Sequence, residues 1–248
     1  MERRRFIKGL ALIGLCPLCA RASVAAEGAH WSYEGDHGPD HWGALGGDDA
    51  ACSIGSQQSP LNITGAIEAE LPALVLDWKK GRAEIVNNGH TIQVDMPPGS
   101  KLVRGDKRFE MLQFHFHAPS EHLVKGKGFA MEVHFVHKNA DTGTLGVLGV
   151  FMTSGAANAT FSGLADAFPV EEGAKRPIEI DPNGLVPKTL GYWTYEGSLT
   201  TPPCSEIVDW TVAREPIEVA TADIEKFTKL YKMNARPALA ANRRIILN

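Results

Sequence analysis

Two short segments alternate polar residues with large apolar residues at the two-residue period of a β-strand. They are Gln113-Phe114-His115-Phe116-His117 and Met131-Glu132-Val133-His134-Phe135-Val136. Because successive side chains of a strand point to opposite faces, His115 and His117 share one face of the first segment, and His134 has the same relation to Glu132 in the second. If the two segments pair as neighbouring strands, three imidazoles meet at one point. The pattern therefore predicts a sheet with a polar site on one face and a core on the other.

Three clustered histidines indicate a metal site rather than a set of ordinary core residues. A single histidine on an apolar strand is usually a core or surface residue, but three of them with a carboxylate nearby favour ligation. Three neutral imidazoles occupy three of the four tetrahedral positions of zinc and leave one for water, as in catalytic sites. Gln113 and Glu132 each stand two residues before a histidine on its own face, where they can accept the second ring N–H. We therefore expect Zn²⁺ on His115, His117 and His134.

The rest of the chain has the pattern of a mainly β domain with short helices. Residues Thr91 to Met96 alternate at strand period, and Asn88-Gly89 just before them predicts a two-residue hairpin turn. A helix is predicted from Thr221, as its cap, to Lys232, and a weaker one ends at Pro169. No repeat or long linker divides the 248 residues, which indicates a single domain.

The first 26 residues have the composition of a targeting segment. Basic residues at positions 3, 4, 5 and 8 precede an apolar run from Gly9 to Ala20, and small residues follow up to Ala26. We expect residues 1–26 to be a cleaved export signal and residues 27–248 to be the mature domain. The order Arg3-Arg4-Arg5-Phe6-Ile7-Lys8 resembles a twin-arginine signal, and a general secretory signal is the alternative. The expected location is periplasmic or secreted, without a stable membrane anchor.

The mature chain is acidic and keeps two cysteines. The net charge of −4 becomes −8 after cleavage, because the signal carries five basic residues and one acidic residue. Nucleic acid is therefore excluded as an expected partner, since it requires concentrated positive charge. Cys52 and Cys204 remain, and an even pair in an exported protein is more often a disulfide than a metal or catalytic site. Such a bond closes a loop of about 150 residues, worth roughly 5 kcal/mol in the chain-entropy model.

Ordered motifs across nearly the whole mature chain resemble the α-class carbonic anhydrases, in particular the exported bacterial type. They are His41-Trp42-Gly43, Gln58-Ser59-Pro60, Asn87-Asn88-Gly89-His90, Gln113-Phe114-His115-Phe116-His117, Ser120-Glu121-His122, Glu132-Val133-His134, Tyr192-Trp193-Thr194-Tyr195, Gly197-Ser198-Leu199-Thr200-Thr201-Pro202-Pro203 and Asn242-Arg243. The resemblance implies one domain around a large, mostly antiparallel mixed β-sheet. It also implies a zinc lyase, carbonate dehydratase, that hydrates carbon dioxide reversibly to bicarbonate and a proton through attack by zinc-bound hydroxide.

The resemblance assigns roles to individual residues of this chain. It places zinc on the three predicted histidines, with Gln113 and Glu132 holding them. Thr200 would accept a hydrogen bond from zinc-bound hydroxide and donate its own to Glu121, since a hydroxyl that donates to a carboxylate can otherwise only accept. His90 matches the proton shuttle of the family, because imidazole titrates near neutral pH. His122 matches a residue that supports the site structurally.

The resemblance also implies the substrate pocket and the disulfide. Five residues that would otherwise be assigned to the core match the apolar wall that holds carbon dioxide: Val136, Val147, Leu199, Val208 and Trp210. Thr201 would hydrogen-bond bicarbonate. Cys52 and Cys204 stand where many exported members carry a disulfide. Ala118-Pro119 departs from the Trp-Gly of animal members. The expected partners are the small-molecule substrates, and a homodimer is a possible assembly.

Two other functions fit part of the pattern. His115-Phe116-His117, then Glu121 and Gly128, matches the spacing of the first cupin metal motif, which would favour iron or manganese. No second cupin motif surrounds His134. A non-catalytic carbonic-anhydrase-like receptor or zinc carrier is the other alternative, although such relatives usually lose a ligand histidine.

Overall fold

The computed structural model describes residues 30–248, so the predicted export segment lies outside the described residues. Within that range the chain forms thirteen strands: β1 (Asn62–Ile63), β2 (Leu74–Asp77), β3 (Gly81–Asn87), β4 (Ile92–Asp95), β5 (Lys101–Arg104), β6 (Lys107–His117), β7 (Leu123–Val124), β8 (Met131–Lys138), β9 (Leu145–Ser154), β10 (Lys175–Ile180), β11 (Tyr192–Gly197), β12 (Val208–Ala213) and β13 (Ile217–Val219). The α-helices are α1 (Ala51–Ile54), α2 (Ala159–Ala167) and α3 (Thr221–Leu230). Short 3-10 turns cover Gly35–His37, Trp42–Ala44, Gly47–Ala50 and Pro182–Leu185.

Eleven of these strands make one large sheet. Its main path runs β10-β3-β4-β6-β8-β9-β12-β11, with β5 added beside β6, β2 beside β5, and β13 beside β9. The pairs of β9 with β12 and with β13 are parallel, and the remaining pairs in this sheet are antiparallel. The expectation of a mainly β domain around a mostly antiparallel mixed sheet is therefore confirmed.

The apolar faces of the central strands bury the core against the two longer helices. Phe116 on β6 lies with its ring centroid 5.3 Å from that of Phe161 on α2 and 6.2 Å from that of Phe227 on α3. Phe114 and Phe135, on β6 and β8, belong to the same buried cluster. Because the strand alternates, this packing turns the histidines of both strands to the opposite face of the sheet.

Both predicted helices form, but the predicted cap of α3 is wrong. Ala220 precedes the helix in an extended conformation and supplies no side-chain hydrogen bond, so Thr221 is the first helical residue. The Thr221 hydroxyl instead contacts the hydroxyl of Ser154 at the end of β9. The other helix, α2, starts after Asn158, whose side chain accepts the N–H of Phe161.

The predicted two-residue hairpin turn is also wrong, since a four-residue loop joins β3 to β4. Asn87 pairs with Ile92 in the register, which leaves residues 88–91 outside the ladder. The side-chain oxygen of Asn88 accepts the backbone N–H groups of His90 (3.0 Å) and Thr91 (2.9 Å), and this closes the wider loop. Gly89 still takes a positive φ of 85°.

Among residues 30–248, no helix has both the length and the apolar character needed to cross a membrane.

Candidate active site

Strands β6 and β8 bring the three predicted histidines to one point. His115 lies directly opposite His134 in the antiparallel register, and His117 lies opposite Glu132. One ring nitrogen of each histidine lies within 4.8 Å of those of the other two. The two-residue period and this register together produce a compact cluster of three imidazoles on one face of the sheet.

The second ring nitrogen of each histidine is held by an acceptor. The contacts are His115 Nδ1 to Gln113 Oε1 (2.8 Å), His117 Nδ1 to Asn234 O (2.7 Å) and His134 Nε2 to Glu132 Oε1 (2.9 Å). An acceptor requires a hydrogen on the nitrogen that it contacts, so each imidazole turns its other nitrogen, with a free lone pair, into the cluster. The placements of Gln113 and Glu132 agree with the predictions, whereas Asn234 was missed by the sequence analysis.

Burial keeps the three imidazoles neutral. Desolvation lowers the pKa of His115 well below its ordinary value, lowers that of His117 to about 4, and also lowers that of His134. His117 Nε2 is buried without any hydrogen-bond partner. An orphaned buried nitrogen is costly unless something binds it. Three neutral nitrogen donors, one of them orphaned, fit the ligand set of a zinc ion with an open position.

Glu132 is a fully buried carboxylate that is saturated with hydrogen bonds. Its Oε2 accepts the backbone N–H groups of Glu121 (3.0 Å) and His122 (2.9 Å), and its Oε1 contacts His122 Nδ1 at 2.7 Å and His134 Nε2 at 2.9 Å. Burial alone would raise its pKa, but the two histidines outweigh burial and hold the pKa of Glu132 well below its usual range. Glu132 therefore stays ionised behind the cluster.

Glu121 lies on the other side of the cluster, next to Thr200. Its Oε1 accepts the backbone N–H of Arg236 at 2.8 Å, and its Oε2 makes no well-formed hydrogen bond. Burial raises the pKa of Glu121 to about 7, against the opposing effects of His134, the Arg236 N–H and the Thr200 side chain. Thr200 itself is 5% exposed, and Arg236 was missed by the sequence analysis.

The residues predicted for the apolar wall lie together. Val136, Val147, Val208 and Trp210 are buried in one cluster, and Leu199 packs against it. Val147 is the register partner of Val136 on one side and of Trp210 on the other. The Trp210 ring lies 4.9 Å from that of His134, which sets this wall beside the imidazole cluster.

A cleft of about 120 Å³ reaches the cluster from outside. Thr201 and His90 line it together with His115 and His117. The His90 ring is stacked on Trp31, with centroids 3.6 Å apart and planes within 8°. Burial lowers the pKa of His90, and neighbouring His30 lowers it further, while Glu172 opposes them.

The predicted disulfide between Cys52 and Cys204 is confirmed, with Cα atoms 5.0 Å apart. The Cys204 N–H donates to the carbonyl of Thr201 at 2.9 Å. The disulfide thus anchors the loop that carries Thr200 and Thr201.

Comparison with known proteins agrees with this geometry. Residues 37–248 match the family described as eukaryotic-type carbonic anhydrase. A carbonic anhydrase of Nostoc is 40% identical over 100% of this chain and 97% of its own length. A carbonic anhydrase of Pectobacterium carotovorum is also 40% identical, over 98% of this chain and 100% of its own.

A solved structure gives the same result. An α-carbonic anhydrase from Thermovibrio ammonificans, in complex with the inhibitor sulfanilamide, is 43% identical and superposes with a TM-score of 0.86. The match covers 89% of this chain and all of the other. The cupin alternative does not have this support. The chain belongs to the α-carbonic anhydrase family, enzymes that hydrate carbon dioxide reversibly.

Proposed function

We propose that this chain is a zinc-dependent carbonic anhydrase in which His115, His117 and His134 hold the metal. The observation that carries the proposal is the convergence of three neutral ring nitrogens, each oriented by an acceptor behind it. Bound zinc supplies Lewis acidity that lets water ionise near neutral pH, a property known from carbonic anhydrases themselves rather than from this geometry.

Thr200 and Glu121 orient the attacking oxygen. Glu121 Oε1 is committed to the Arg236 N–H, which leaves Oε2 to accept the hydroxyl hydrogen of Thr200. Thr200 then has only lone pairs to offer, so it accepts a hydrogen from the attacking oxygen and directs that oxygen's own lone pair toward the substrate. This arrangement selects an attacking group that still carries a hydrogen.

The wall of Val136, Val147, Leu199, Val208 and Trp210 receives carbon dioxide. A nonpolar substrate gains from an apolar surface and needs no charged partner to be recognised. Thr201, at the mouth of the same cleft, supplies a hydrogen bond to the bicarbonate product.

His90 carries the released proton to solvent. It lines the cleft beside two of the cluster histidines, and its ring rests on Trp31 at the cleft mouth. An imidazole exchanges protons near neutral pH, and the lowered pKa of His90 keeps the ring in its unprotonated form, which is the form that can accept a proton.

The test is zinc titration of the metal-free protein, followed by stopped-flow carbon dioxide hydration with and without a sulfonamide. We expect one zinc per chain, sulfonamide-sensitive hydration, and loss of most zinc affinity in His134→Ala but not in His41→Ala, which changes an exposed histidine. Preference for iron or manganese with oxygen-dependent activity would support a cupin instead. Zinc binding without hydration would support a carrier.

We further propose that residues 1–26 direct export by a twin-arginine-like signal and that the mature domain, 27–248, works in the periplasm or outside the cell. The basic and apolar composition of residues 1–26 and the disulfide support an exported protein. Amino-terminal sequencing of the mature protein, and fractionation of cells that lack only the twin-arginine translocase, test this. A full-length chain retained in the cytoplasm of normal cells would contradict it.

A further inference from the structure

A chain of buried hydrogen bonds runs away from the imidazole cluster and ends at the substrate loop. Glu132 Oε1 contacts His122 Nδ1 at 2.7 Å, and His122 Nε2 contacts the Tyr195 hydroxyl at 2.7 Å. The Tyr195 hydroxyl lies 3.1 Å from Ser59 Oγ, which also accepts the N–H of Ser198 at 3.1 Å. Each of the five residues is at most 3% exposed, so water does not compete for these groups.

The hydrogens of this chain have one consistent arrangement. The Glu132 carboxylate can only accept, so His122 carries a hydrogen on Nδ1 and donates it. In the neutral form of the ring, His122 Nε2 must then accept, and the Tyr195 hydroxyl donates to it. The Tyr195 hydroxyl has a single hydrogen, which this arrangement commits to His122, and Ser59 Oγ lies 3.1 Å from the same oxygen. Glu132 and Tyr195 therefore act on His122 in the same sense: the acceptor requires a hydrogen on Nδ1, and the donor requires a bare Nε2.

Two glycines leave room for the side chains of this hydrogen-bond series. A Cβ atom at Gly149 on β9 would lie 2.7 Å from Glu132 Oε1, and one at Gly197 would collide with Ser59 Oγ. Both approaches are too close for any side chain to be tolerated without movement of the polar groups. The backbone is therefore shaped around this particular set of contacts.

The two ends of this series of hydrogen bonds belong to different parts of the active site. At one end, Glu132 holds His134 Nε2 at 2.9 Å. At the other end, Ser198 immediately precedes Leu199 of the substrate wall, and the Ser198 carbonyl accepts the indole N–H of Trp210 at 3.0 Å. One set of hydrogen bonds thus connects a metal-ligand position to the loop that meets the substrate.

We propose that Tyr195 is a positioning residue of the metal centre, an inference that rests on the proposed function. By donating to His122 Nε2, it keeps the His122 hydrogen on Nδ1, and this hydrogen fixes the direction of the Glu132 carboxylate. Glu132 in turn fixes the ring of His134, and groups that orient a ligand in this way tune metal affinity. Through Ser59, the same hydroxyl ties that ligand to the substrate loop.

Tyr195→Phe removes the hydroxyl and keeps the ring. Tyr192→Phe is the matched control, because Tyr192 lies on the same strand and its hydroxyl donates to the carbonyl of Pro72 at 2.6 Å, away from the cluster. The full chain is titrated with zinc against a chromogenic chelator, and the cobalt-substituted protein is examined by visible absorption. We expect about tenfold weaker zinc binding for Tyr195→Phe, the low end for groups behind a metal ligand, with a changed cobalt spectrum. Tyr192→Phe should match the wild type in both measurements.

Equal zinc affinity and equal cobalt spectra in the two variants would overturn the inference. A wild-type protein that neither binds zinc nor hydrates carbon dioxide would instead overturn the proposed function. If Tyr195→Phe does not fold, ¹⁵N NMR of the zinc-loaded wild type decides the matter, with the His122 signals assigned by a His122→Gln variant. A bare His122 Nε2 that accepts the Tyr195 hydroxyl hydrogen supports the inference, and a hydrogen on Nε2 overturns it.

Discussion

His137 should make the stability of this protein depend on pH. It is fully buried on β8, where its Nδ1 lies 3.1 Å from the carbonyl of Gly146 and its Nε2 accepts the indole N–H of Trp78 at 3.2 Å. The neutral ring therefore has both nitrogens satisfied, and a second hydrogen on Nε2 would face another donor. Burial lowers the pKa of His137 from 6.5 to about 4.

The direction and the size of the pH effect on stability follow from the difference between these two pKa values. Between pH 6.5 and pH 4 the unfolded chain binds a proton at this position and the folded chain does not, so the free energy of unfolding falls as the pH falls. The full loss is about 3 kcal/mol below pH 4, and about 2 kcal/mol of it is reached at pH 5. A His137→Gln variant has no titrating group at this position, so its stability does not fall with pH for this reason. The difference in the free energy of unfolding between the wild type and the variant should therefore shrink by about 2 kcal/mol from pH 7.5 to pH 5.

Urea unfolding followed by circular dichroism, with both proteins free of metal, measures this change. Titrations shared by the two proteins cancel when the variant is compared with the wild type at each pH. His41→Gln, at an exposed position, is the control and should show no comparable shift. A His137→Gln deficit that stays the same at both pH values would refute the reasoning.

Three further changes have defined outcomes. Reduction of the Cys52–Cys204 bond, which spans 152 residues, should lower the free energy of unfolding by up to about 5 kcal/mol in urea titrations with and without reductant; no change would contradict the loop-closure argument. His90→Ala should slow hydration in dilute buffer by roughly 10²-fold, and added imidazole should restore it; equal rates in dilute buffer would remove His90 from the shuttle. Gly149→Ala should weaken zinc binding by about 10- to 100-fold, because the new methyl meets the buried carboxylate. Gly163→Ala, with no atom within 4 Å of the new Cβ, is its control, and equal affinities would contradict the prediction.

The centre of the site was predictable because strand alternation is a local property. The period alone placed His115 and His117 on one face, and the pairing of β6 with β8 placed His134 opposite His115. Gln113 and Glu132 followed from the same period, each contacting the histidine two residues ahead.

Other contacts depend on long-range packing that no local pattern encodes. Asn234 and Arg236 follow α3 without strand or helix periodicity, yet they contact His117 and Glu121. From sequence alone an asparagine and an arginine after a helix are expected to be exposed, so nothing local marks Asn234 or Arg236 for these contacts. One local signal was misleading. Asn88-Gly89 predicted a two-residue turn, but the Asn88 side chain accepts hydrogen bonds from the backbone that follows it, and this closes a wider loop that the sequence does not reveal.

The acceptor for His117 and the donor for Glu121 are separated from them by 117 and 115 residues. While the polypeptide is still being synthesised, β6 and β8 can present their imidazoles long before the segment after α3 has left the ribosome. A nascent chain at that stage has the three imidazoles but lacks the Asn234 carbonyl that orients His117. If the cluster holds zinc as proposed, we expect tight capture of the metal ion to wait until the whole domain has closed, so that metal uptake would be a late event in maturation.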